Sequence, residues 1–82
     1  REVNGCKIVF RPSRADPEQL YAIIEITDPD LTPSMLFVRH PDGSTDRVEL
    51  PDFQNRRAQL LLDRQSSQAR GLMDTKAEVY VT

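Results

Sequence analysis

Residues 20–27 repeat apolar side chains with a period of two, and this pattern constrains the fold more than any other feature of the chain. The residues that share the apolar face are Leu20, Ala22, Ile24 and Ile26. The opposite face is mixed, because Tyr21 and Ile23 alternate there with Glu25 and Thr27. Since successive side chains of a strand point to opposite sides, the pattern predicts a β-strand with one buried face and one half-covered face.

Two further runs at the ends of the chain predict strands. Residues 7–11 are rich in β-branched and aromatic side chains and stop at Pro12, and residues 77–82 close the chain with the same character. Such residues favour the pleated, half-buried surface of a sheet. Proline-containing polar segments separate the runs, because proline fixes φ and removes a backbone donor.

Residues 35–40 and 47–50 predict a β-hairpin. Between them lies the polar segment 41–46, which contains the dipeptide Asp42-Gly43. Asp-Gly between two strand-like runs is a strong hairpin signal, because glycine accepts the positive φ of a tight turn.

Residues 52–70 predict a helix. This stretch contains no Val, Ile, Thr or Tyr and is dominated by Gln, Arg, Ala and Leu, which lose little rotamer freedom in a helix. Pro51 suits the first turn, and Gly71 suits the left-handed position that follows a helix. An alternative interpretation makes residues 58–62 a strand followed by a polar loop over residues 64–71, which would give an all-β immunoglobulin-like sandwich.

These elements predict an α+β fold: a small antiparallel sheet of about five strands, packed by one helix. The chain has 82 residues, which suffice for one domain with a modest core. Because it begins with Arg1 rather than Met, we expect a single β-rich domain that is a fragment of a longer protein. The predicted core comprises Ile8, Phe10, Leu20, Ala22, Ile24, Ile26, Leu36, Val38, Val48, Leu50, Phe53, Leu60, Leu61, Val79 and Val81.

The chain lacks the residue patterns of common enzymes and cofactor sites, so we predict neither catalysis nor a bound cofactor. Cys6 is the only cysteine, so it forms no internal disulfide and no zinc cluster, and we expect it to be buried at the start of a strand. The only histidine, His40, has Asp42, Ser44 and Asp46 nearby in sequence, but a turn supplies neither rigid support nor an oxyanion hole. The glycines are too widely separated for a phosphate loop.

Residues 42–46 carry oxygen ligands at alternate positions, as calcium loops do. They lack the distal bidentate Glu of a full loop, although Asp28 and Asp30 could add carboxylates if the two turns converge. A calcium-dependent β domain is therefore an alternative function.

The distribution of charge suggests one binding surface. The net charge is −2 for the whole chain, yet residues 12–52 carry −6 and residues 53–70 carry +3. The arginines of the basic segment are Arg56, Arg57, Arg64 and Arg70. They could bind an acidic partner, since arginine makes bidentate contacts with carboxylates and phosphates. Nucleic acid is disfavoured, because aromatic residues for base stacking are scarce.

The strands suggest a second surface. Residues 35–38 and 79–81 are short, apolar and free of lysine, so either could form a sheet edge that pairs with another strand. Met35, Phe37 and Tyr80 would then contribute to assembly. We therefore expect a non-catalytic protein–protein interaction or assembly module, which holds a protein partner or another copy of itself. No apolar run approaches the ~20 residues needed to span a membrane.

Overall fold

A computed structural model describes all 82 residues as seven strands and one short helix. The strands are β1 (Glu2–Val3), β2 (Cys6–Pro12), β3 (Gln19–Ile26), β4 (Met35–Arg39), β5 (Thr45–Glu49), β6 (Arg57–Asp63) and β7 (Glu78–Val81). The helix, α1 (Ser67–Met73), lies between β6 and β7. The strands predicted near residues 7–11, 20–27 and 77–82 are confirmed, as is the hairpin, with Gly43 at φ 91°.

The strands form two antiparallel sheets. Sheet A has the order β1-β2-β3-β6, and sheet B has the order β5-β4-β7. The chain crosses between the sheets after β3, β5 and β6. The predicted antiparallel β domain with a single helix is therefore confirmed, with seven strands in two sheets rather than about five in one.

The core lies between the two sheets. Ile8 and Ile24 from sheet A are fully buried against Leu36 and Val38 from sheet B. Cys6 is also fully buried at the start of β2, as predicted. Most of the predicted core residues are buried or packed against this cluster. Leu61 is the exception: it lies on the outer face of β6 with 49% of its surface exposed, so its assignment to the core is wrong.

The helix predicted over residues 52–70 is wrong over most of its length, because residues 57–63 form strand β6 and only residues 67–70 of the segment are helical. β6 pairs with β3 over seven residues, from Gln19 opposite Asp63 to Glu25 opposite Arg57. The alternative interpretation placed a strand here correctly: Ala58 is buried and faces the core together with Leu60 and Leu62. Pairing with β3 and burial of one face outweigh the favourable helix propensity of Gln, Arg and Leu, which differs among ordinary residues by less than about 1 kcal/mol.

A tight turn also prevents a helix from continuing through this region. Asn55 and Arg56 have φ values of 53° and 64°, in the left-handed region. Gln54 and Arg57 flank them and exchange two backbone hydrogen bonds, of 2.9 and 3.1 Å. Two consecutive left-handed residues in a two-residue loop are the geometry of a type I′ hairpin turn. Strand β6 begins directly after this turn.

Helix α1 is short and begins later than predicted. The side chain of Ser66 caps its first turn by accepting a hydrogen bond of 3.1 Å from the Ala69 N–H. Gly71, predicted to follow the helix, lies inside it and is buried. The helix is too short and too polar to cross a membrane.

Arg1 ties the end of α1 to the start of β7. Its guanidinium donates hydrogen bonds to the carbonyl oxygens of Leu72 (3.2 Å), Asp74 (2.7 Å) and Ala77. Because β1 runs along the outer edge of sheet A, these contacts bring that edge close to β7 of sheet B.

Candidate functional site

The three residues predicted for strand-edge assembly lie together on the outer face of sheet B. Phe37 and Tyr80 are opposite each other on β4 and β7. Their rings stack with centroids 5.1 Å apart and an interplanar angle of 14°. Met35 lies two residues before Phe37, on the same face of β4. We call Met35, Phe37 and Tyr80 the aromatic patch; Tyr80 is 40% exposed within it.

Strand β7 lies at an edge of sheet B and pairs only with β4. Met35 and Thr82 exchange both backbone hydrogen bonds, of 3.1 and 3.0 Å. In an antiparallel ladder such pairs alternate with pairs that make no bonds to each other. The N–H and C=O groups of Val79 and Val81 therefore point away from β4, toward the open side. We call these backbone groups the β7 edge.

The β7 edge lacks the features that usually prevent strands from pairing with other chains. Natural edge strands carry lysine, proline or bulges for this purpose, whereas β7 contains only one charged residue, Glu78. Val79 faces the core side of the sheet but remains partly exposed. The carbonyl of the preceding residue, Ala77, already accepts a hydrogen bond from Arg1. The open stretch is therefore confined to residues 79–81.

The other sheet edges are each protected in part. At β5, the alternation of bonds with β4 turns the backbone groups of Arg47 and Glu49 outward, so the open side carries charged residues. At β6, Gln54 already pairs with Arg57, and the carbonyl of Asp63 accepts hydrogen bonds from Ser66. Strand β1 has only two residues. Between the two ends of β6, Gln59 and Leu61 keep outward-pointing backbone groups, as Val79 and Val81 of β7 do; of these two open stretches, only that of β7 lies beside the aromatic patch.

The structure does not bring the four predicted arginines into one surface. Arg56 and Arg57 lie at one end of β6 and Arg64 just beyond the other end, roughly 20 Å away at the rise of a strand. Arg70 lies on α1. Arg57 pairs with Glu25 at 3.2 Å on the exposed surface, and Arg64 donates a hydrogen bond of 3.1 Å to the Pro17 carbonyl. Their predicted proximity depended on a helix that the structure replaces with a strand.

The outer face of sheet A carries a basic, partly apolar surface that sequence reasoning did not identify. Val9 lies opposite Ile23, and two residues further along β2, Arg11 lies opposite Tyr21. Val9 and the nearby Leu61 are 38% and 49% exposed. The signal was present in the sequence, because the residues at alternate positions of β2 include Lys7, Val9 and Arg11. We call Lys7, Val9, Arg11, Ile23 and Leu61 the sheet A face. The acidic Glu25 lies on the same side of the sheet, opposite Lys7, and pairs with Arg57.

A polar cluster joins the β4–β5 hairpin to α1. His40 Nε2 lies 2.6 Å from Asp46 Oδ2, and Ser67 Oγ donates a hydrogen bond to the same carboxylate oxygen. Ser67 donation, followed by the hydrogen bond with His40, lowers the pKa of Asp46 below its usual value. Ser44, which the sequence placed beside His40, instead hydrogen-bonds Asp42 at 2.6 Å and lowers the pKa of that carboxyl.

This cluster does not have the arrangement of a Ser-His-Asp triad. In a triad, the carboxylate binds one imidazole nitrogen, and the other nitrogen accepts the serine proton. Here Asp46 and Ser67 both approach His40 Nε2, at 2.6 and 3.3 Å, and the Ser67 hydroxyl donates to Asp46. The cluster anchors the first turn of α1 to the hairpin.

The acidic turns do not converge on a metal-binding group. No three His, Cys, Asp or Glu side chains lie close enough together to hold a metal ion. Asp28 Oδ1 accepts a hydrogen bond of 3.0 Å from the Asp30 N–H, and Asp42 Oδ1 accepts one of 2.9 Å from the Ser44 N–H. Each aspartate thus stabilises its own turn.

Comparisons of the chain with models of protein families, with curated proteins and with solved structures found no match. Inference about function therefore depends on the β7 edge, the aromatic patch and the sheet A face.

Proposed function

We propose that this chain is a non-catalytic protein-interaction module that binds an extended polypeptide strand along the β7 edge. The observation that supports the proposal is that the Val79 and Val81 backbone groups point to the open side of sheet B, beside the aromatic patch with its exposed Tyr80. Unpaired strand edges of this kind accept an added strand in known peptide-recognition modes.

The surroundings of the β7 edge favour both affinity and selectivity for an incoming strand. The two valines offer two donors and two acceptors, so a bound strand gains up to four backbone hydrogen bonds. Its side chains alternate between the faces of sheet B. Those on the inner face would cover the partly exposed Val79, and those on the outer face would pack beside Tyr80. A strand of alternating apolar residues is the expected ligand.

The proposal is tested by replacing Val79 with proline and, as a matched control, with alanine. Val79→Pro removes a donor that β4 does not use, and proline is tolerated at sheet edges. Val79→Ala also removes the valine side chain and leaves a small apolar residue, but it keeps the backbone N–H. Thermal unfolding and amide spectra of both variants first establish that each is folded.

The probe is a displayed library of octapeptides with alternating randomised and apolar positions, selected on the wild-type chain. We expect the selected peptides to bind Val79→Ala and to lose at least tenfold in affinity for Val79→Pro, the effect of about 1.4 kcal/mol expected for a lost hydrogen bond. Equal binding to both variants would overturn strand addition at β7, as would a library from which no peptide binds.

A second candidate function is binding of an acidic protein through the sheet A face. Lys7 and Arg11 flank the exposed Val9 on this face, although the chain as a whole carries a net charge of −2. This retains the predicted cationic recognition, with Arg57 as the only one of the four arginines beside the face.

Polyglutamate is a suitable probe for this second function. We expect it to bind the wild-type chain at low salt, and binding should weaken steeply as salt is added. Arg11→Glu should abolish binding, whereas Arg39→Glu on the outer face of sheet B should preserve it. Equal loss in the two variants would show a response to net charge alone and would exclude the sheet A face.

A further inference from the structure

We infer that the strand bound at the β7 edge is β7 of a second copy of this chain, paired antiparallel about a two-fold axis at Tyr80. This inference rests on the proposed function and names its partner. Sheet B would then continue across the dimer in the order β5-β4-β7-β7-β4-β5. Such an interface is isologous, because the same residues supply both sides.

The backbone of β7 selects the register. Val79 and Val81 carry the outward-pointing groups, so the pairing that uses all of them places Val79 opposite Val81 of the second copy. Tyr80 then lies opposite Tyr80 of the second copy, in a pair without direct backbone bonds. A shift of one residue would place Val79 opposite Tyr80 of the second copy. The core faces of the two copies would then lie on opposite sides of the joined sheet. Registers that recruit Ala77 compete with its bond from Arg1.

The side chains agree with this register on the inner face. Val79 is only partly buried in the single chain, although it packs against the core cluster. In the dimer, Val81 of the second copy would lie beside it, and the reciprocal contact forms on the other side of the axis. Directly opposite side chains in an antiparallel pair have Cβ atoms about 4.5–5.5 Å apart. The exposed apolar edge would thus be removed from water in both copies.

The outer face agrees as well. The two Tyr80 side chains would be neighbours, so the Phe37–Tyr80 stack would extend into a row of four aromatic rings. Aromatic pairs across strands stabilise sheets. Glu78 would lie opposite Thr82 of the second copy, so the two carboxylates would not face each other. The five residues 78–82 are therefore compatible with their own inverted copy in both shape and charge.

Disulfide trapping tests the register. Residues opposite each other without backbone bonds have Cα atoms about 4.5 Å apart, which lies within the range that a disulfide spans. We expect Tyr80→Cys to form a covalent dimer under mild oxidation. Glu78→Cys should remain monomeric by itself, because it faces Thr82 of the second copy, and should crosslink when mixed with Thr82→Cys. The native Cys6 is fully buried and serves as the internal control.

Failure of Tyr80→Cys to crosslink faster than Glu78→Cys would overturn this register. Sedimentation equilibrium of the wild-type chain then separates the inference from the function on which it rests. We expect self-association that is insensitive to salt, preserved in Val79→Ala and lost in Val79→Pro. A wild-type chain that stays monomeric at millimolar concentration, while selected peptides still require the Val79 N–H, would refute the self-pairing and retain strand binding. Peptide binding that is indifferent to Val79→Pro would refute both.

Discussion

Gly71 of α1 lies directly against the imidazole ring of His40, at the end of β4. A Cβ atom added to Gly71 would come within 2.6 Å of His40 Cε1 and even closer to the Cγ1 methyl of Val38. Both side chains are held in place, because Val38 is fully buried and His40 is bonded to Asp46. The glycine is therefore required by packing, and it lets α1 approach the hairpin.

This contact predicts that Gly71→Ala destabilises the fold. Overpacking costs about 1–3 kcal/mol, and the better helix propensity of alanine returns up to about 1 kcal/mol of this. We expect a net loss on the order of 1–2 kcal/mol in the free energy of unfolding, measured by urea denaturation. Arg70→Ala, at the exposed neighbouring position, should change it little. Equal stability of Gly71→Ala and the wild type would show that α1 can move away from His40 without cost.

The carboxylate of Asp46 predicts a dependence of stability on pH. Hydrogen bonds from Ser67 and then His40 lower its pKa in the folded state, so the folded chain binds fewer protons than the unfolded chain in acid. The resulting stabilisation is present above the unfolded pKa of about 3.9 and is lost as pH falls through the folded pKa.

Asp46→Asn and Ser67→Ala measure this contribution. We expect the difference in melting temperature between wild type and Asp46→Asn to shrink as pH is lowered from 7 to below 4. In Ser67→Ala, the carboxyl carbon of Asp46 should titrate at a higher pH, as followed by NMR. If the melting temperatures of wild type and Asp46→Asn run parallel over the whole range, ionisation of Asp46 is not coupled to folding.

The turn at Asn55-Arg56 predicts a stabilising substitution. Arg56 has a φ of 64°, and a residue with a Cβ adopts such a left-handed backbone conformation only at a cost in free energy. Type I′ turns therefore prefer the sequence Asn-Gly. Arg56→Gly should raise the free energy of unfolding by up to about 1 kcal/mol. Arg57→Gly, in the neighbouring strand position, is the control and should lower it. A loss of stability in Arg56→Gly would mean that the arginine side chain makes a stabilising contact.

Cys6 should resist modification in the folded chain. It is fully buried between the sheets, and desolvation raises the pKa of its thiol, so little reactive thiolate forms. We expect no reaction with Ellman's reagent at pH 8 under native conditions and stoichiometric reaction in urea. A native reaction rate similar to that of free cysteine would indicate that β2 opens frequently at its first residue.

The strands that could be predicted are those whose signal is local. In residues 20–27, every second residue is apolar, and burial of one face follows from that spacing wherever the strand sits in the sheet. The β4–β5 hairpin is equally local, since Asp42-Gly43 favours the turn before any other contact forms. That Phe37 and Tyr80 share one outer face follows instead from the pairing of β4 with β7, which neither strand indicates by itself.

Contacts distant in sequence decided the rest. The chemical composition of residues 57–63 favours a helix, but β3 offers a partner along their whole length and a core for Ala58 to face. That choice separates the arginines, which local reasoning had placed on one surface. Ser67 meets Asp46 only because α1 folds back over the hairpin.

Periodicity and turn chemistry are properties of a few neighbouring residues, so the sequence by itself determined an antiparallel β domain, its hairpin and its main core positions. Only the tertiary structure decided which strands form edges, because an edge is defined by the partner that is missing. The open side of Val79 and Val81 follows from the pairing of β7 with β4 alone, and no spacing within residues 78–81 encodes it. The surface on which the proposed function depends is thus a consequence of sheet order.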